Sequence, residues 1–211
     1  MKFAGMDEKA LIATAQQGDV DAFNRLVLAY QNMVYNLAYR ILGDGDAAAD
    51  ATQDAFLSAY RAIGRFRGGS FKAWLLRIVT NACYDQLRVK QRRPTTSLEA
   101  SLVSDHGASP SFAADEGEQP EEYVLRQELS RVIQAGIGTL PADQRIALVL
   151  SDIQGFRYRE IAEITGVSLG TVKSRLSRAR AKLRDFLLAR GELLPAQYRL
   201  MGSITDSEQL G

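Results

Sequence analysis

The chain has one cysteine and one histidine among its 211 residues. A single thiol cannot close an internal disulfide, so the fold must stand on packing, and such sparing use of cysteine fits a cytoplasmic address. One imidazole and one thiol cannot assemble a His/Cys metal cluster, and no cofactor is expected. A Ser-His-Asp arrangement would have to use His106, which sits in "SDHGASP". That is a poor place for a positioned base, so an enzyme is the weakest class. No run approaches the ~18 apolar residues of a membrane span, so no membrane insertion is expected. The opening "MKFAGMDEKALIATAQQGDVDAF" holds no signal-peptide core before Gln16. Alternating stretches long enough for a convincing strand are missing as well, and the expected fold class is all-α.

What is present is charge, unevenly placed. The net charge is +1. Residues 1–93 carry 13 basic and 9 acidic groups, +4, and residues 94–122 carry 7 acidic groups and no basic one, −7. Residues 123–190 carry 12 and 6, +6, and residues 191–211 carry 1 and 3, −2. Two basic blocks therefore flank an acidic spacer. The spacer, "PTTSLEASLVSDHGASPSFAADEGEQPEE", is rich in Ser, Ala, Pro and acids without a sustained period, and reads as a flexible linker. The organisation expected is two small helical domains, 1–93 and 123–190, joined by 94–122, with 191–211 as a tail. In the tail, Leu193, Leu194, Tyr198, Leu200 and Met201 either fray or dock as a short amphipathic segment.

Both blocks read as helices. Phe23, Leu26, Val27, Tyr30, Val34, Leu37 and Ile41 keep a helical period across 21–42. "GDGDAAAD" breaks the chain, and a second helix runs from Asp46 to about Ile63. The glycines of "GRFRGGS" mark a loop. A third helix runs from Phe71 to about Arg92, with Trp74, Leu75, Ile78, Val79 and Ala82 on its buried side, and Pro94 ends it. The second block holds helices near 121–137, 142–153, 158–165 and 169–189.

Three constellations carry chemistry. In "GVSLGTVKSRLSRARAKLRDFL", Gly166 suits a left-handed turn and Ser168 an N-cap. Val172, Leu176, Ala179 and Leu183 form one buried stripe, with Thr171, Lys173, Ser174, Arg175, Ser177 and Arg178 off it. This is the pattern of a helix-turn-helix whose second helix enters the major groove. Short Ser and Thr let backbones approach, and Arg and Lys reach base edges or phosphates. Arg180, Lys182 and Arg184 fall further along and suit phosphate, linker acids or a protein partner.

On the third helix, Arg77, Asn81, Tyr84 and Arg88 recur on one face, followed by "RVKQRR". Basic groups interleaved with an aromatic and an amide suit a single nucleic-acid strand. Tyr84 fits a stacking or a core role equally, Trp74 a core role, and "RFRGGS" either holds a base or turns the chain. On the second helix, Asp46, Asp50 and Asp54 sit four apart with Gln53 beside them. Like charges at that spacing oppose one another, so the ridge either faces a basic protein or is a solvated face.

Two segments carry a resemblance, "DAAADATQDAFLSAYRAIGRFRGGSFKAWLLRIVTNACYDQLR" and "LPADQRIALVLSDIQGFRYREIAEITGVSLGTVKSRLSRARAKLR". In this order, across an acidic linker, the chain resembles a bacterial group IV (extracytoplasmic-function, ECF) sigma factor of RNA polymerase over roughly residues 7–188. The resemblance implies a σ2 domain whose Asp50, Gln53 and Asp54 grip the β′ coiled coil of core RNA polymerase. It implies that Phe66, Arg67, Ser70, Arg77, Asn81, Tyr84 and Arg88 read and open the −10 element. It implies a σ4 helix-turn-helix near the β flap, with Lys173, Ser174, Ser177 and Arg178 facing bases of the −35 element and Tyr158, Thr171 and Arg175 nearer phosphates. The partners implied are core polymerase, promoter DNA and an anti-sigma factor, with the active protein on the nucleoid. Thr165 stands where the family often has an aliphatic residue. The competing reading is a free-standing dimeric helix-turn-helix regulator, which needs neither the acidic ridge nor the aromatic-basic helix.

Overall fold

A computed structural model describes residues 7–92 and 120–190, with side chains described for 7–89 and 123–190. Expectations for the linker up to residue 119, for Arg93 and for the tail 191–211 lie outside the described residues.

Eight α-helices and two irregular turns make up the described chain: α1 (Glu8–Gln16), α2 (Val20–Leu42), α3 (Gly45–Ala62), a 3₁₀ turn (Ile63–Arg65), α4 (Phe71–Arg92), α5 (Pro120–Gly138), α6 (Ala142–Leu148), a π turn (Val149–Ile153), α7 (Tyr158–Thr165) and α8 (Leu169–Leu188). No strand occurs among the described residues. The helix starts follow capping chemistry. Asp7, Asp19 and Asp44 accept the amides of Lys9, Ala22 and Ala47, and Ser70 that of Ala73, each satisfying a donor the helix leaves unpaired. The second long helix of the first block therefore begins at Gly45, one residue before the expected Asp46, because Asp44 is the cap. Gly43 ends α2 with φ 74°, in the left-handed region that a glycine enters without steric cost. Pro120 opens α5, where its missing N–H costs nothing, so that helix starts inside the stretch expected to be linker.

In the first block, α1 to α4 form a bundle. Ala48, Ala51, Ala55 and Ala59 form a fully buried small-residue stripe on α3, which lets that helix lie close to α2 and α4. On α4 the buried face is Leu75, Leu76, Val79, Thr80 and Cys83. Trp74, Ile78 and Ala82, expected on the buried side, are half-buried. The face is rotated because Ile78 and Ala82 line an open groove between α3 and α4. Burial pushes the Cys83 thiol up to about 12.

In the second block, α6, α7 and α8 enclose Ile146, Leu150, Ile161, Ile164, Val172, Leu176 and Ala179. The expected single helix over 142–153 is α6 plus a π turn, with Gln154 N–H reaching Val149 O at 3.0 Å. Thr165 returns its hydroxyl to Ile161 O at 2.7 Å, which satisfies it inside α7.

The blocks pack against each other. Three carbonyls at the C-terminal end of α2 are met by side chains of the second block. Arg145 Nη1 donates to Ile41 O at 2.6 Å, and Gln134 Nε2 to Arg40 O and Tyr39 O at 3.4 and 3.5 Å. In return Arg40, 6% exposed, donates to Gln134 Oε1 at 3.0 Å and Ser130 Oγ at 3.1 Å. A guanidinium at a helix C-terminus also suits the helix dipole. Burial lowers the pKa of both arginines from the ordinary value.

Candidate promoter and polymerase interface

The turn between α7 and α8 is built as its residues predict. Gly166 has φ 69° and its N–H returns to Ala162 O. Ser168 Oγ accepts the amide of Thr171 at 3.1 Å and lies 2.8 Å from the Thr171 hydroxyl. Glu160 reaches back to the Arg157 N–H at 2.8 Å, fixing the start of α7. Val172, Leu176 and Ala179 are buried and Leu183 is half-buried, so α8 turns the rest of its surface outward. Lys173, Ser177 and Arg178 are exposed, whereas Thr171, Ser174 and Arg175 are half-buried. Ser174 returns its hydroxyl to Thr171 O at 3.0 Å.

Three of the basic residues on α8 are already engaged. Arg175 Nε lies 3.1 Å from Asp143 Oδ2 on α6, close to Tyr84 of the first block. Arg180 grips Asp152 with Nε and Nη2 at 3.0 and 2.7 Å, a pairing that holds its pKa above the ordinary arginine value. Arg184 pairs with its neighbour Asp185 at 3.1 Å. The acids that answer these arginines come from α6, the π turn and α8 itself. Sequence reasoning did not assign Asp143, Asp152 or Asp185 this part.

On the first block, Phe66 joins an aromatic cluster. Its ring stands 5.7 Å from Phe71 and 5.3 Å from Trp74, and Phe71 is 5.5 Å from Tyr30. Tyr30 in turn hydrogen-bonds Glu8. Gln16 Nε2 pins the loop by donating to Ile63 O at 3.0 Å and Phe66 O at 2.9 Å. Gly68 and Gly69, at φ 95° and 89°, then swing the chain into α4. The expected loop residues are thus split: Phe66 is half-buried, Arg67 and Ser70 are exposed, and Ser70 also caps α4.

Along α4, Arg77, Asn81 and Arg88 are exposed, and Arg88 lies 3.9 Å from Asp85. Tyr84 is half-buried; burial raises its pKa and the nearby Arg175 works against that rise. Tyr84, for which spacing left a stacking and a core role equally open, packs against the core close to Arg175 and Asp143 of the second block. Asp46, Asp50, Gln53 and Asp54 are all exposed on α3. Asp54 shares the α3–α4 groove with Asn81, Leu57 and Val89, the last two 47% and 58% exposed. The groove brings one end of the acidic ridge beside one end of the amide-basic face.

The residues missed from sequence are those joining the blocks: Arg40, Gln134 and Arg145. Arg40 did leave a signal, as a charged residue one turn beyond Leu37 on the apolar stripe of α2. Gln134 and Arg145 left none.

The folded chain is therefore a two-block helical protein of the DNA-binding kind, with a helix-turn-helix in its second block. Known proteins narrow this. Residues 26–93 match Sigma-70 region 2 and residues 130–183 match Sigma-70, region 4. The chain is 38% identical over 176 residues to the ECF RNA polymerase sigma-E factor of Escherichia coli, covering 83% of this chain and 91% of that one. It is 38% identical to the RNA polymerase sigma-H factor of Pseudomonas aeruginosa, over 82% and 90%. It is also 38% identical to the ECF sigma factor SigE of Mycolicibacterium smegmatis, over 83% of this chain and 65% of that one. Among solved structures, CnrH in complex with the cytosolic domain of CnrY superposes with a TM-score of 0.60 at 29% identity, covering 87% of this chain and 99% of that one. The sigma factor RpoE in complex with the anti-sigma factor NepR from Bartonella quintana does so with 0.59 at 30%, covering 78% and 96%. The chain belongs to the ECF family of RNA polymerase sigma factors. A free-standing helix-turn-helix regulator is not favoured, because both regions match in order.

Proposed function

We propose that the chain binds core RNA polymerase, directs it to a bipartite promoter and helps open the DNA, while the polymerase does the chemistry and the chain catalyses nothing itself. Asp50, Gln53 and Asp54 bind the β′ coiled coil, and the helix-turn-helix block lies near the β flap. Lys173, Ser174, Ser177 and Arg178 face bases of the −35 element, with Tyr158, Thr171 and Arg175 toward phosphate. Phe66, Arg67, Ser70, Arg77, Asn81, Tyr84 and Arg88 handle the −10 element, where captured single-stranded bases cannot re-pair. The observation that carries this reading is the exposed row Lys173, Ser177 and Arg178 on a capped helix-turn-helix. The other block of the same chain carries an exposed carboxylate ridge.

Arg175 and Tyr84 are both assigned to DNA, yet Arg175 is paired with Asp143 at 3.1 Å and Tyr84 is half-buried, so both are freed as the promoter binds. An anti-sigma factor is the expected regulator, working in the cytoplasm, with the freed protein on the nucleoid. Run-off transcription with purified core polymerase on a promoter library tests the whole. Initiation should appear on a subset of promoters, and a library on which nothing rises above core alone sinks the proposal.

A further inference from the structure

Arg180 stands on the same helix as the residues assigned to the −35 element, yet its surroundings are of a different kind. α6 widens at its end into the π turn Val149–Ile153. Such a turn inserts a residue and re-aims the side chains that follow. The side chains delivered here are Ser151 and Asp152. Arg180 meets Asp152 fork to fork, Nε to Oδ2 at 3.0 Å and Nη2 to Oδ1 at 2.7 Å. Nη2 also donates to Ser151 Oγ at 3.4 Å, and Nη1 donates to the Tyr158 hydroxyl at 3.3 Å.

These contacts occupy four of the five N–H groups a guanidinium has. Little remains for a phosphate. Tyr158 is different. It opens α7 and is half-buried, and its oxygen accepts from Arg180, which leaves its own proton to be given away. Accepting a charge-assisted bond polarises the O–H and makes it a better donor. Asp152 has the opposite tendency. Bare, its carboxylate would repel a nucleic-acid backbone arriving at Tyr158, and paired with Arg180 it does not.

We infer that Arg180 is a positioning residue for promoter binding: braced on Asp152, it aims the Tyr158 hydroxyl proton at a phosphate bordering the −35 element without touching DNA itself. The inference rests on the −35 reading above, and deepens it by dividing the basic residues of α8 into DNA-facing ones and one that acts through a neighbour.

The test uses holoenzyme reconstituted from the full-length chain and core polymerase. Equilibrium binding to promoter fragments with an intact or scrambled −35 element is followed across a salt series. Tyr158→Phe and Arg180→Ala should each weaken the −35-dependent part of binding on the order of tenfold, and the double variant should be no weaker than Arg180→Ala alone. Asp152→Asn placed in the Arg180→Ala background should recover part of the loss, with the wild-type salt slope, because the pair it removes is net neutral. Arg180→Lys, which keeps the charge but not the fork, should fall between wild type and Arg180→Ala.

Additive losses for Tyr158 and Arg180 would overturn the inference. So would a salt slope lower by about 0.9 in Asp152→Asn/Arg180→Ala, since that marks a direct phosphate contact by Arg180. Absence of any recovery from Asp152→Asn, with a matching fall in thermal midpoint, would reduce Arg180 to a structural brace. A wild-type holoenzyme indifferent to the −35 element would sink the promoter reading itself, and this inference with it.

Discussion

Among the basic residues of α8, position on the helix decides role. Arg178 is exposed on the outer face, while Arg175 and Arg180 are held by Asp143 and Asp152. A free guanidinium can take a guanine edge through two bonds, and losing such a pair costs about 1–3 kcal/mol against the right base only. Arg178→Ala should therefore weaken promoter use by that amount and flatten the dependence on −35 sequence, measured with a panel of single-base promoter variants. A uniform loss across the panel would mark a phosphate contact instead. At the other end of the molecule, Asp54 is exposed on α3 beside Leu57 and Asn81 in the groove. Asp54→Ala should lower affinity for core polymerase in a fluorescence titration while leaving the helical signal unchanged, and an unaltered affinity would leave the ridge as a solvated face. The exposure of both residues was legible from spacing, because an exposed residue on an amphipathic helix needs only the helix period to be placed. That of Tyr84 was not. Its spacing puts it with Arg77, Asn81 and Arg88 and leaves a stacking and a core role equally open, and only the packing of helices shows it half-buried.

At the scale of elements, the helix-turn-helix depends on short-range chemistry. Ser168 supplies an oxygen to the Thr171 amide, and capping serines of this kind contribute about 1 kcal/mol. Ser168→Ala should lower the urea midpoint correspondingly and loosen −35 binding more than −10 binding, since only α8 is affected. Equal losses at both elements would show a global effect. The cap, the left-handed Gly166 and the buried stripe of α8 could all be read in the residues, because each is a local event within about four positions. The π turn could not. The stretch from Ile146 to Ile153 satisfies a continuous helix as well as an interrupted one, and the choice is made by how Phe156 seats, with its N–H on Leu150 O at 3.0 Å. The close passage of α5 over α8 was equally silent: a side chain at Gly136 would meet Leu183 at 2.6 Å and Phe186 at 2.8 Å, a constraint that exists only once both helices are in place.

At the scale of the molecule, the C-terminal end of α2 is where the two blocks meet. Arg40 is the buried polar group at that joint, bonded to Ser130 and Gln134. Hydrogen bonds of a charged group are worth about 1.5–3 kcal/mol. Arg40→Ala should cost about that in stability, and should lengthen the distance between fluorophores placed one in each block. A lengthened distance with unchanged core binding would confirm that the joint holds the blocks together and does little else; an unchanged distance would place the holding force elsewhere. The sequence by itself determined the all-helical class, the two charged blocks, the helix-turn-helix and the exposed faces, since all of these follow from periodicity, capping and turn chemistry within a few residues. Only the tertiary structure decided which charges are spent inside the protein. Asp143 is paired with Arg175, Asp152 with Arg180, and Arg145 with the carbonyl of Ile41. The partners in these pairs lie 28 to 104 residues apart or on separate helices, and no local period links residues that meet only when helices cross.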